Sequence, residues 1–457
     1  MGICGLRGSS SRGVLGGIHT GEYPTVGRRS AIGWFLCLAL IFGLLPGALA
    51  SDASGGARVE KVPTARPAIC SLKGTTNACA TRVVVRKKAA KCVGAARKSK
   101  RCVIAARKSA KKKAALKKNL KSSISATSKK QTAPDGLSPE QIRGAYNLPS
   151  AAPQPQTIAI VTAFDNPNAE SDLGVYSSTF SLPSCTGVNG CFRKVNGRGQ
   201  ERPLPPADAT WALETSLDVQ IAHAVCPNCK ILLVEAASAS ILDLLDAIDT
   251  AVALGANEVS NSWVVDEFSS QTSFDSRLNH PGVVITAASG DTANRVQWPA
   301  ASSFVTAVGG TTLTMQDNTR VTESAWQLGG SGCSRYESKP AWQTDGGCSR
   351  RMVPDVVAVG DPSSGAAVYD SYGLSGRSGW FKIGGTSLAA PLIAAVYALA
   401  GNAGQVVGGS FPYAHSDSLF DIRSGVDGSC SPSYLCSTGI GYDGPTGVGS
   451  PNGTAAF

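Results

Sequence analysis

From residue 137 onward, two apolar patterns alternate along the chain. TIAIVTAF (157–164), KILLVEA (230–236), EVSNSW (258–263), GVVITAAS (282–289) and FVTAVGG (304–310) are short, β-rich runs that read as buried strands. Between them, Glu214–Val225 and Ile241–Leu254 read as helices, the second with Leu244, Leu245, Ile248 and Val252 at helical spacing. A further apolar stretch, LAAPLIAAVYALAG, continues from Ser387 as a third helix. Strand–helix alternation predicts an α/β fold whose mostly parallel central sheet is covered on both faces. The ligand cleft of such a sheet lies at the carboxyl ends of its strands.

The first 133 residues follow other rules. Arg28-Arg29 precede AIGWFLCLALIFGLL, then Pro46-Gly47 and Ala48-Leu49-Ala50. A positive flank, an apolar core, a breaker and a small-residue end make residues 1–50 a secretory signal peptide, so the protein is expected to be secreted and extracellular. The alternative is a retained anchor, since Ala31–Ala50 nearly spans a bilayer. Residues 51–133 form a lysine-rich leader or linker, expected to be largely disordered. Residues 51–130 hold 23 Lys and Arg against 2 acids, whereas residues 131–457 hold 16 against 29. The net charge of +11 therefore averages a basic segment and an acidic domain.

Three readings of the leader stay open. It is a solvated linker, a pro-segment drawn by charge to the acidic domain, or a tail for anionic surfaces. In the last two, residues 80–122 make the electrostatic contact. Few aromatics accompany the lysines, so no specific nucleic-acid partner is expected. KCVGAARKSK and RCVIAARKSA nearly repeat; ten residues of helix would hold Cys92 and Cys102 about 15 Å apart, too far to bond each other.

Eight cysteines of the acidic domain fall in close pairs: Cys185 with Cys191, Cys226 with Cys229, Cys333 with Cys348, and Cys430 with Cys436. In an exported chain, these are disulfide candidates. Cys226-Pro-Asn-Cys229 also has the form of a redox or zinc motif, but a structural zinc site needs four ligands and no second CxxC exists.

The candidate chemistry is carried by carboxylates and one serine. Glu214 and Asp218, four apart in LETSLDVQIAHAV, share one helix face. Two carboxylates held together cannot both ionise cheaply, so one pKa rises and that group can serve as general acid or base. The plain alternative is a solvated surface pair, although Leu213, Leu217, Val219, Ile221, Ala222 and Ala224 leave only a narrow polar stripe. Asp291 follows a strand in ASGD, at the sheet edge where the cleft is expected; Gly-Asp there is also a common turn. Ser387, in IGGTSLAAP, opens a helix, where unpaired N–H groups favour an anionic oxygen; a serine there is also a common cap.

Taken in order, LSPEQIRGAYNLP, ETSLD, SNSW, ASGD followed by PAASSFVTAVGGT, and GGTSLAAP resemble the sedolisin family, serine-carboxyl peptidases related to subtilisins. The resemblance covers about residues 137–452 and implies a subtilisin-like three-layer peptidase domain over 134–457. It implies Ser387 as nucleophile, Glu214 as its general acid/base, Asp218 as the carboxyl that orients Glu214, and a protonated Asp291 in the oxyanion hole. Ser262 and Trp263 would border the substrate channel. It also implies one structural calcium, held by Asp421 and Asp443 side chains and the Ile422, Gly439 and Gly441 carbonyls; oxygen ligands on flexible backbone suit that ion. Departures are Gly384 where the family often has serine, Val264 where glycine commonly follows Ser-Trp, and a short basic leader where a large folded pro-domain is usual.

The expectation is an exported endopeptidase, monomeric, cleaving proteins or peptides at acidic pH through an acyl-enzyme on Ser387. A Ser-His-Asp enzyme built on His223 is disfavoured, because five helical residues from Asp218 turn His223 off that face. The alternative from another class is a catalytically silent binding protein whose basic segment binds anionic polymers or cell surface.

Overall fold

The computed structural model describes residues 63–67 and 134–457. The expected signal peptide over residues 1–50, the 80–122 stretch, Cys92 and Cys102 lie outside the described residues. Strands are β1 (Arg66–Pro67), β2 (Thr157–Ala163), β3 (Phe192–Asn196), β4 (Lys230–Ala236), β5 (Glu258–Asn261), β6 (Trp263–Asp266), β7 (Val284–Ala288) and β8 (Gln297–Trp298). They continue as β9 (Thr306–Gln316), β10 (Thr319–Ala325), β11 (Gly332–Ser338), β12 (Arg350–Val353), β13 (Val356–Val359), β14 (Ala366–Leu374) and β15 (Arg377–Ile383). Helices are α1 (Pro139–Ala145), α2 (Ala169–Phe180), α3 (Ala209–Val225), α4 (Ile241–Ala253) and α5 (Thr386–Ala400).

The central sheet runs β10-β9-β7-β5-β2-β4-β3, with β13 also on β9. All its pairings are parallel except β10 on β9. Period-two alternation along β2 explains the layers. Ile158 and Ile160 enter one apolar cluster with α3 and α5, while Ala159, Val161 and Ala163 enter the other with α4. The expected three-layer, subtilisin-like α/β fold is the observed one.

Local chemistry starts the helices. Asp208 caps α3, accepting from the Thr210 and Trp211 amides at 2.9 and 3.0 Å. Ser138 and Gln141 form a capping box on α1. α5 begins at Gly385, whose φ of +119° excludes most side chains, and ends at Gly401 in the left-handed region. A Cβ on Gly384 would strike the backbone of Gly360 and Pro362, so in this chain the glycine lets the turn before Ser387 approach its neighbours.

One expectation is corrected. EVSNSW is not one strand: the chain leaves the parallel sheet at Ser262, and Trp263–Asp266 joins the separate sheet β1-β6-β8. An apolar run does not show where a strand changes sheets. Of residues 51–133, the structure describes 63–67, where β1 pairs antiparallel with β6.

The cysteines pair as their spacing suggests. Cys185 is bonded to Cys191 and Cys226 to Cys229, with Cα atoms 4.8 and 5.4 Å apart. Cys333 is bonded to Cys348 and Cys430 to Cys436, with Cα atoms 6.0 and 5.8 Å apart. The bond from Cys333 to Cys348 ties β11 to the loop that leads into β12, and these two strands pair antiparallel. No helix among the described residues is long and apolar enough to cross a membrane.

Candidate active site

Because the strands are parallel, the residues that follow β5, β7 and β13 emerge at one edge of the sheet. These are Ser262, the Ser289-Gly290-Asp291 turn and Gly360. α5 starts at that edge, with the Gly385 amide donating to the Gly360 carbonyl. α3 packs against α5 and is buried from Trp211 to Val225.

Glu214 and Asp218 are both fully buried, one helical turn apart. This removes the surface-acid alternative. The Ser262 hydroxyl donates to Asp218 Oδ1 at 2.8 Å and lies 3.3 Å from the Ser387 carbonyl oxygen. Pro391 explains why that carbonyl is open to it: four residues beyond Ser387 inside α5, it has no N–H to offer. One hydroxyl has one proton, so Ser262 satisfies both oxygens only when Asp218 carries a proton and donates to it. Burial does push the Asp218 pKa well up, opposed by the Ser262 hydrogen bond.

Ser387 is the second residue of α5, so its N–H belongs to the first turn, which has no helical acceptors. Its hydroxyl is buried and makes no hydrogen bond among the described residues. Asp291 reaches the same turn. Its Oδ1 accepts from the Thr386 amide at 2.8 Å and the Thr386 hydroxyl at 3.0 Å, while Thr386 Oγ1 accepts from the Gly290 amide. Asp291 Oδ2 is buried and uncommitted. Burial raises the Asp291 pKa from 3.8 to about 7, against the two Thr386 hydrogen bonds. A carboxyl in that state is a proton donor at acidic and neutral pH.

Asp218, Ser262 and Ser387 are thus joined by direct contacts, as are Asp291 and Thr386, the residue before Ser387; Glu214 lies beside Asp218 on the buried face. Sequence reasoning missed Thr386. Ser262 holds Asp218, and Trp263 is buried against Trp298, its indole N–H donating to Asn261 Oδ1. It is the Trp263 backbone that pairs with a peptide strand, in β1. His223 is buried with Nε2 on the Pro183 carbonyl at 2.9 Å, away from Asp218, and burial lowers its pKa. The one His/Cys/Asp/Glu cluster with metal-like spacing among the described residues joins His223 to the Cys185–Cys191 disulfide, whose sulfurs are already bonded.

The calcium candidates also come together. The Asp421 carboxylate accepts from the Gly441 amide and from Arg423 Nε. Asp443 is fully buried, accepting from Gly439 and Thr446, and burial together with the Asp421 charge pushes its pKa up to about 7. Two like-charged carboxylates beside a glycine loop, with Ile422 buried next to Asp421, form an oxygen-rich donor set that fits a hard cation.

A family model described as the subtilase family matches residues 209–405, which hold the ETSLD, ASGD and GGTSLAAP segments. Kumamolisin from Bacillus sp. (strain MN-32) is 30% identical over 365 residues, 71% of this chain and 63% of that protein. Sedolisin from Pseudomonas sp. (strain 101) is 37% identical over 175 residues, 34% of this chain and 28% of that protein. The solved Pseudomonas sedolisin, a serine-carboxyl proteinase complexed with two molecules of pseudo-iodotyrostatin, matches with a TM-score of 0.59 at 26% identity. That match covers 70% of this chain and 96% of that one. The chain therefore spans about 63% of the length of kumamolisin. Fold and matches together define a subtilisin-like α/β domain. Within that class the chain is similar to members of the sedolisin family of serine-carboxyl peptidases.

Proposed function

We propose that this protein hydrolyses peptide bonds at acidic pH, as a secreted serine-carboxyl endopeptidase. The observation that supports it most is the buried polar row from Asp218 through Ser262 to Ser387 and from Thr386 to Asp291, at the carboxyl edge of the sheet. Ser387 Oγ attacks the substrate carbonyl carbon while Glu214 takes its proton, with Asp218 orienting Glu214. The carbonyl oxygen becomes an anion facing the Ser387 N–H and the protonated Asp291. Collapse breaks the C–N bond, and Glu214 returns the proton to the leaving amine. Water then releases the acyl group by the same steps in reverse. Burial of the carboxyls accounts for the acid preference, since Asp291 donates only below its raised pKa of about 7.

Ser387→Ala is expected to abolish casein hydrolysis at about pH 3–5, the range of ordinary carboxyl pKa values. Full activity in that variant would refute the assignment. The same reading gives the fold one structural calcium, held by Asp421, Asp443 and the Ile422, Gly439 and Gly441 carbonyls. Chelation is expected to lower the melting temperature of the native protein but not of Asp443→Asn. Equal melting temperatures with and without chelator in the native protein would remove the ion.

A further inference from the structure

β1 sits in a gap with hydrogen-bonding neighbours on both sides. On one side the Ala65 amide donates to the Ala239 carbonyl at 2.6 Å, and the Ile241 amide donates to the Pro63 carbonyl at 3.3 Å. On the other, Arg66 pairs with Val264 and Pro67 with Trp263, antiparallel. Ala65 is buried in the cluster that contains Trp211, Ala239 and Ile241. A short segment held along both edges in this way is seated as an extended peptide ligand is seated. Its direction is informative. Leader numbers rise as β6 numbers fall, so β1 runs toward Ser262, whose hydroxyl touches Asp218 and the Ser387 carbonyl.

One side chain of the seated strand meets a charge. Arg66 Nη2 lies 3.2 Å from Asp266 Oδ1, which also accepts from Gln297 Nε2 at 2.9 Å. Arg295 occupies the other oxygen, Oδ2, at 2.7 Å. The neighbouring Glu267 is turned away, onto Ser334 and the Arg335 amide. Burial works to raise the Asp266 pKa, but Gln297 and the two guanidinium groups outweigh it and hold it below the usual value. Asp266 therefore ionises at a lower pH than an ordinary aspartate.

We infer that Asp266 is a specificity-determining residue of the peptide groove, selecting a basic side chain in the substrate. A substrate in the register of β1 places the residue opposite Ser262 next to the nucleophile, and the bond after it becomes the scissile one. The residue opposite Val264 is then third on the amino side of that bond, and it faces Asp266. A glutamate there, once ionised above its ordinary pKa of about 4.3, would meet a like charge. The inference rests on the peptidase reading for its substrate, but the Arg66–Asp266 contact is independent of catalysis.

The test has two arms. In the first, quenched peptides differing only in Arg or Glu at the third position before the scissile bond are cleaved at about pH 5, where a peptide glutamate is largely ionised. The native enzyme is expected to favour Arg by about two- to five-fold in kcat/KM, the range of a half-exposed ion pair. Asp266→Asn should level the two, and Asp266→Lys should reverse them. In the second arm, hydrogen exchange of the Ala65 and Ile241 amides is followed in the full chain carrying Ser387→Ala. Arg66→Glu should speed it, and adding Asp266→Lys should restore it, which separates lost contact from lost folding. Cleavage without Arg/Glu discrimination, and exchange indifferent to Arg66→Glu, would overturn the inference and leave the peptidase standing. Exchange that follows the charges, with no peptide cut at any pH, would uphold the contact and overturn the peptidase.

Discussion

Asp291 binds Thr386 through one oxygen and keeps the other free, so its proton decides what it can do. With a pKa of about 7 it donates in acid and becomes an anion above neutrality, where it would repel an oxyanion. Asp291→Asn offers a neutral donor at every pH. The variant is expected to keep measurable activity and lose the alkaline limb that titrates at about pH 7 in the native pH–kcat/KM profile. An unchanged alkaline limb would assign it to another group. Ser262 is argued at the same scale. Ser262→Ala leaves Asp218 Oδ1 and the Ser387 carbonyl without their shared hydroxyl, at roughly 1–3 kcal/mol for a buried group left unpaired. Its kcat should fall about ten- to a hundred-fold with KM nearly constant, because β6 pairs with peptide through backbone. A KM effect alone would return Ser262 to the substrate channel.

α3 carries Glu214 in its first half and Asp218 just past its midpoint, and the Cys226–Cys229 disulfide closes the turn just beyond its last residue. Closing so short a loop stabilises by roughly 2 kcal/mol on the chain-entropy model. Replacing both cysteines by serine should lower the melting temperature measurably and leave the shape of the pH–rate profile unchanged. An altered profile would mean the turn also positions the carboxylates. The helix was easy to find from its sequence, but its burial was not. Its apolar residues surround the polar ones almost completely, and only the packing of α5 and the sheet makes the remaining polar stripe an interior one. β5 and β6 show the opposite limit. Both read as strand, and the change of sheet at Ser262 depends on partners far away in sequence.

At the scale of the molecule, the acidic domain buries several carboxyls that titrate late. Glu258, at the start of β5, is buried with neither oxygen hydrogen-bonded among the described residues, and burial pushes its pKa well up. Asp218 and Asp291 are raised for the same main reason. A carboxyl with a raised folded pKa binds its proton more tightly in the native state than in the unfolded chain. Its contribution is fully present below the ordinary carboxyl range of about pH 4 and is lost as pH rises through the folded value. The melting temperature should therefore fall from about pH 4 to about pH 8, and Glu258→Gln should flatten that fall. A melting temperature that rises over this window would contradict the protonated, buried state of these groups.

The sequence by itself determined the alternation that builds the sheet, the close cysteine pairs such as Cys333 with Cys348 and Cys430 with Cys436, and the residue types able to do acid–serine chemistry. These depend on short-range periodicity and spacing, which the chain carries locally. Tertiary structure decided which carboxyls are dry enough to hold protons, that Pro391 opens the Ser387 carbonyl to Ser262, and that Arg66 reaches the distant Asp266. Desolvation and strand partnership are properties of what surrounds a group. No pattern along the chain specifies them until the sheet has brought its carboxyl edge together.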